Sequence, residues 1–172
     1  MDWTKVLFDP NGRIGQREFW IGVLIIVVGN IVAGFIPFLG FIISLGLIWV
    51  GIAVYGKRLH DAGKTAWLHA VPWALNILLF IIALVMIGGA LFNLILNSAG
   101  GAEPSDQDII AMVSASGGGF LVLTLGFLVW VAYTIWVGVL KGDPGANQYG
   151  PAPVIEGAAA PAAPAAEDTT KG

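Results

Sequence analysis

The sequence predicts an all-α membrane protein with four transmembrane helices, both termini on one side, short interfacial helices and a disordered C-terminal tail. Two observations carry that prediction. Hydrophobic residues make up 57% of the 172 positions and charged residues only 11%, against roughly 25% charged in a soluble domain, whose surface needs them. The few charges are also sorted. All eight Lys/Arg residues lie in three polar segments that a four-span threading places on a single side of the bilayer.

Residues 1–18 form an N-terminal segment. Within it "MDWTKVLF" sets Trp3, Val6 and Leu7 at i, i+3 and i+4, a short amphipathic pattern suited to a membrane surface. "DPNG" at 9–12 is a turn signal. More apolar sequence follows instead of a small-residue cleavage site and a soluble body, so the segment is not expected to be a cleaved signal.

From 19 to 55 no side chain carries a formal charge. That run is too long for one helix, since about 30 Å of hydrocarbon takes roughly 20 residues at 1.5 Å each. "GFIPFLG" divides it: Pro37 lacks a backbone donor and the glycines accept turn geometry. Span one is therefore 19–36 and span two 38–56, a tight hairpin. The charged connector "YGKRLHDAGKTAWLHA", 55–70, holds both histidines. "AWLHAVPW" suits an interfacial turn with Trp67 as aromatic anchor, and span three is 73–96.

In "NSAGGAEPSDQD" the spacing of Ser105 and Asp108 matches a capping box. "SDQDIIAMVSAS" is accordingly expected to form a separate short helix at the outer surface. Span four is 118–140 and completes a transmembrane domain over 19–140. A polar motif occupies 141–153, and the Ala/Pro-rich residues 154–172 lack any apolar periodicity, as a disordered tail does.

Orientation follows from the basic residues. Lys5, Arg13 and Arg17 precede span one, Lys57, Arg58 and Lys64 separate spans two and three, and Lys141 and Lys171 follow span four. The opposite side has Glu103, Asp106 and Asp108 but no Lys or Arg. The positive-inside rule then puts both termini and the charged connector in the cytoplasm. Burying Lys57, Arg58, Asp61 and Lys64 at the bilayer centre instead would cost about 2.5–3.5 kcal/mol each.

Several functions are disfavoured. The chain has no cysteine, hence no disulfide, thiolate nucleophile or Cys-ligated metal. A net charge of −3 without a continuous basic stripe argues against a nucleic-acid partner. No Asp, Glu, Lys, Arg or His lies within the spans, unlike ion-coupled carriers. Asn30 and Asn76 are expected to hydrogen-bond between helices; alternatively Asn30, Asn76 and Asn93 line a neutral path in a small oligomeric transporter or channel. Gly29 and Ala33 form a small-xxx-small pair compatible with a homo-oligomer. His60 and His69 lack metal-ligand spacing, and no metal or cofactor is expected.

Three motifs remain: "GRIGQREFW", "KRLHDAGKTAW" and "GDPGANQYGPAP". In this order, each flanking a span on the same side, they resemble the signatures of the bacterial inner-membrane family catalogued as domain of unknown function 805, over about residues 10–153. The resemblance implies an inner (plasma) membrane location. It also implies roles for Gly12, Arg13, Glu18, Phe19 and Trp20, for Arg58, Leu59, His60, Asp61 and Trp67, and for Gly145, Asn147, Tyr149, Gly150 and Pro153. This chain departs from the family pattern at Gln16, Lys57 and Ala152. Lysine at 57 does not reproduce the bidentate geometry of an arginine.

The hairpin of spans one and two brings the first two motifs together. Two roles follow for the resulting cluster. Arg13, Arg17, Arg58, His60, Asp61 and Asn147 form a site for an anionic lipid headgroup or a membrane-protein partner, or Arg13 and Arg17 pair with Glu18 or Asp61 and clamp the hairpin. A non-enzymatic protein is the main expectation. A membrane enzyme using His60 and Asp61 is a further alternative, but neighbours on a helix point in different directions, and no Ser or Cys nucleophile accompanies them.

Overall fold

The computed structural model describes residues 2–99, 101 and 103–153. The tail expected to be disordered, 154–172, lies outside the described residues. Among those described there is no strand, only an isolated bridge between Asn147 and Gly150. Four helical stretches are long and apolar enough to cross a membrane.

Helix α1 (Trp3–Phe8) starts where the Asp2 carboxylate accepts the Thr4 and Lys5 backbone N–H groups, an N-cap. It ends in the expected turn: Asp9 accepts the Asn11 backbone N–H at 2.9 Å, and Gly12 has φ +86°. Helix α2 (Gln16–Gly34) and helix α3 (Leu39–Asp61) form the first hairpin. Their backbones come so close at the tip that a Cβ on Gly40 would run into the Ala33 carbonyl. The positive φ there belongs to Phe38, at 59°, where Leu39 N–H reaches back to the Pro37 carbonyl at 2.7 Å. That is a γ-turn, a strained geometry for a side-chain-bearing residue.

After α3 a 3₁₀ turn (Ala66–His69) leads into α4 (Ala70–Ser98), with Pro72 in its first turn, where a missing N–H costs nothing. Helix α5 runs unbroken over Asp106–Val139. The Ser105–Asp108 capping box is present, yet it starts α5 itself, so the separate surface helix expected over 105–116 is instead the first turns of the fourth long helix. The glycines at 117–119 do not break it. A Cβ on Gly119 would sit 2.7 Å from Ile87 Cδ1 and one on Gly118 2.5 Å from Met86 Cε; close packing on α4 offsets their helix cost of about 1 kcal/mol each. At 1.5 Å per residue α5 is about 50 Å long, so it outruns a hydrocarbon core or tilts within it.

Large apolar side chains point outward along all four long helices, Leu24, Phe41, Phe80 and Leu121 among them, as a chain solvated by lipid allows. The buried core is small and lies at the end carrying both described termini: Phe19, Val54, Leu59 and Val137. The two hairpins also meet at that end. Gln16 Nε2 donates to the Gly138 carbonyl at 3.0 Å, and the hydroxyls of Tyr55 and Thr134 are 2.7 Å apart. Among the described residues no Cα of α4 comes within 8 Å of one in α2 or α3, so the hairpins stand apart beyond the core.

Asn30 and Asn76 do not join helices as expected. Asn30, Asn76 and Asn93 each donate to the carbonyl four residues back (Ile26, Pro72, Gly89) at 2.9–3.0 Å, and the Thr124 hydroxyl does the same to Phe120 at 2.8 Å. A short side chain finds its own helix carbonyl before it can span the gap to a neighbour.

Candidate functional site: the three-motif cap

The charged segment expected as a loop between spans is helical through Asp61. Continuing α3 by one more turn puts Arg58 and Asp61 on one face at i, i+3, where Arg58 Nη1 and Asp61 Oδ2 form an ion pair. The other carboxylate oxygen, Oδ1, accepts Nη2 of Arg13 at 2.9 Å and its Nε at 3.1 Å. One buried carboxylate thus holds two guanidinium groups from different motifs. The arginine side chains are each 1% exposed and that of Asp61 5%.

The third motif closes over them with backbone. Arg13 Nη1 donates to the Gly145 carbonyl at 2.6 Å and Nη2 to that of Asp143 at 2.6 Å. Arg58 Nη2 donates to the Leu140 carbonyl, one left unpaired by the end of α5. Asp143 N–H donates to the Asp61 carbonyl at 2.8 Å. Gly142 lies directly on the Asp61 carboxylate, leaving no space for a Cβ. Among the described residues, Arg58 Nε is the buried side-chain nitrogen without a hydrogen-bond partner.

Asn147 finishes the enclosure. Its Nδ2 donates to the His60 carbonyl at 2.9 Å and to Asp143 Oδ2 at 2.7 Å, and its Oδ1 accepts the Tyr149 N–H at 2.9 Å. The His60 ring stacks on Tyr149 with centroids 3.8 Å apart. His60 Nδ1 lies 3.2 Å from the Gly12 carbonyl; because a carbonyl only accepts, Nδ1 carries the proton. His60 and Asp61 therefore serve separate contacts and do not form a base with its orienter.

Lys57 faces the other way. Buried beneath α1, its ammonium donates to the carbonyls of Lys5 and Val6, both at 2.6 Å, at the C-terminal end of α1, where a cation is favoured. Trp49 Nε1 adds a bond to the Phe8 carbonyl at 3.0 Å.

Of the residues singled out from the sequence, Arg13, Arg58, His60, Asp61 and Asn147 come together in one enclosed cluster. Arg17 lies on the exposed surface of α2. Sequence reasoning missed Asp143 and Gly142, which touch Asp61 through backbone N–H and by close approach; the "GDPG" turn was the only available signal. It also passed over the hold of Lys57 on α1. Among the described residues no three His, Cys, Asp or Glu side chains are placed to share a metal ion.

Chemically the cluster is a self-contained ion network: the guanidinium groups end on one carboxylate and on carbonyls supplied by the chain. Charge-assisted bonds of this kind are roughly twice as strong as neutral ones. A family model described as "Protein of unknown function (DUF805)" matches residues 7–151, a stretch that contains the whole cluster. No curated protein and no solved structure matches the chain.

Proposed function

Given that this chain belongs to the family of proteins of unknown function DUF805, we propose that it is a non-enzymatic, multi-pass protein of the bacterial inner membrane whose three polar motifs form a cytoplasmic clamp. The clamp ties the base of two helical hairpins and leaves their far ends apart. One observation carries this reading: Asp61 takes both Arg13 and Arg58, while the carbonyls of Asp143 and Gly145 accept further N–H groups of Arg13 and that of Leu140, at the end of α5, one of Arg58. Arg13 and Arg58, the cations that a headgroup phosphate would need from the motifs, are already engaged within the chain. Placing this end in the cytoplasm rests on the sorting of the basic residues. Lys5 and Lys141 are exposed at the same end, and each contributes about 1 kcal/mol of attraction to an anionic leaflet, which draws the cap toward it without recognising a particular headgroup.

The test compares wild type, Arg13→Gln and Arg58→Gln in nanodiscs of phosphatidylcholine alone and of phosphatidylcholine with phosphatidylglycerol. The clamp predicts that each variant loses the same stability in both lipids. A wild-type gain in phosphatidylglycerol that disappears in the variants would mean the arginines bind headgroups, and would overturn the reading.

A further inference from the structure

Between the two hairpins lies a cavity of about 260 Å³, just under the roughly 300–1,000 Å³ of ligand pockets. Along α3 it extends from Ser44 to Tyr55, about 16 Å at 1.5 Å per residue. Its lining changes in character along that length.

The end nearest the cap is aromatic. Trp73 Nε1–H donates to His69 Nε2 at 3.3 Å, so the histidine proton sits on Nδ1 and is donated to the Tyr133 hydroxyl at 3.2 Å. Tyr55 stacks on His69 with centroids 4.6 Å apart, and Trp130 stands edge-on to Trp73 at 5.4 Å. Tyr55, His69 and Trp73 spend their polar atoms on Thr134, Tyr133 and one another, so this floor offers mainly ring faces. The middle is aliphatic, with Ile26, Leu47 and Ile48.

The far end is polar again. Asn30 spends one N–H on its own helix and keeps its carbonyl oxygen, and the Ser44 hydroxyl has no hydrogen-bond partner among the described residues. Both lie within two turns of the hairpin tip. In a bilayer that depth is close to the surface, while the aromatic floor lies toward the opposite side. No charged side chain lines the cavity, and none lies between 19 and 55, so nothing there would hold a phosphate or carboxylate. The side of the cavity is open because α4 keeps its distance from α2 and α3, and a molecule dissolved in the membrane can enter without passing through water.

We propose that this cavity binds a neutral long-chain amphiphile of the membrane. Its uncharged hydrogen-bonding head meets Asn30 and Ser44, and its aliphatic tail runs inward over Ile26, Leu47 and Ile48 to the aromatic floor. A charged head would find no counter-charge in this lining, and burying it unpaired among these residues would cost more than burying a neutral one. The inference goes beyond the clamp: it concerns the gap between the hairpins and stands whether or not the arginines bind headgroups.

The test uses the full chain in phosphatidylcholine vesicles with two photoreactive probes, hexadecanol and hexadecyl phosphate, each carrying the same mid-chain diazirine. Labelled residues are read by mass spectrometry. The alcohol is expected to concentrate on Ile26, Leu47 and Ile48 and to be displaced by unlabelled hexadecanol. Ser44→Ala should weaken the competition about fivefold, the equivalent of one hydrogen bond. Gly51 lines the cavity, and a Cβ there meets nothing within 4 Å, as at Gly46 outside it. Gly51→Phe should therefore abolish the focused labelling and Gly46→Phe preserve it, with unchanged far-UV circular dichroism in both; Gly51→Leu serves if the phenylalanine variant does not fold. Labelling spread evenly over all lipid-facing helices overturns the proposal. So does labelling indifferent to a filled Gly51 position, or equal labelling of the cavity by the phosphate probe.

Discussion

Replacing Asp61 with asparagine keeps the size of the side chain and removes the one charge that two guanidinium groups share. Arg13 and Arg58 are each 1% exposed in their side chains, so neither can turn to solvent when its partner is lost. Taking away one member of a buried ion pair costs about 3–5 kcal/mol, because the other charge stays behind uncompensated. Two charges stay behind here. An asparagine NH₂ would in addition face an arginine N–H, donor against donor. The loss is therefore expected at the upper part of that range, near 5 kcal/mol. Equilibrium unfolding in mixed micelles of mild detergent and dodecyl sulfate, followed by far-UV circular dichroism, measures it. The companion variant Arg13→Gln and the double variant complete a cycle, and a coupling energy above about 1 kcal/mol is expected for groups in direct contact. A loss below about 1 kcal/mol for Asp61→Asn, typical of an exposed pair, would refute the enclosed network and the clamp with it.

Three other outcomes follow from the same structure. Lys57→Met strands the Lys5 and Val6 carbonyls; it should cost about 1–3 kcal/mol and raise hydrogen exchange over α1 selectively, while Lys57→Arg retains most of the protection. Gly40→Ala pushes a methyl into the Ala33 carbonyl, and overpacking should lower stability by about 1–3 kcal/mol in the same unfolding assay. Phe38→Gly relieves the positive φ at the hairpin tip and should leave stability unchanged or raise it by up to about 1 kcal/mol, the opposite sign from Gly40→Ala two residues away; a loss as large as that of Gly40→Ala would refute the strain.

The four long helices and the hairpin tip at 34–40 were legible because the relevant physics is one-dimensional. A run of uncharged side chains has a length, a bilayer has a thickness, and eight basic residues are easily sorted between two sides. Helix ends were less legible. Α sequence stretch as polar as 57–61 looks like a connector, yet it continues α3 because Lys57, Arg58 and Asp61 find partners from elsewhere in the chain. The glycines at 117–119 look like a break, yet the space beside Gly118 and Gly119 is filled by Met86 and Ile87 of the neighbouring helix.

Charge, length and periodicity thus determined by themselves the helical class, the number of apolar spans and the gathering of three polar motifs at one end, since ionised groups avoid hydrocarbon wherever the fold places them. Only the tertiary structure decided what that gathering is: a carboxylate shared by two arginines and sealed by the carbonyls of 140, 143 and 145. Carbonyls belong to every residue alike, so no sequence pattern marks which of them will meet a guanidinium. The same holds for the gap between the hairpins, which depends on how two pairs of helices lean and not on what either pair is made of.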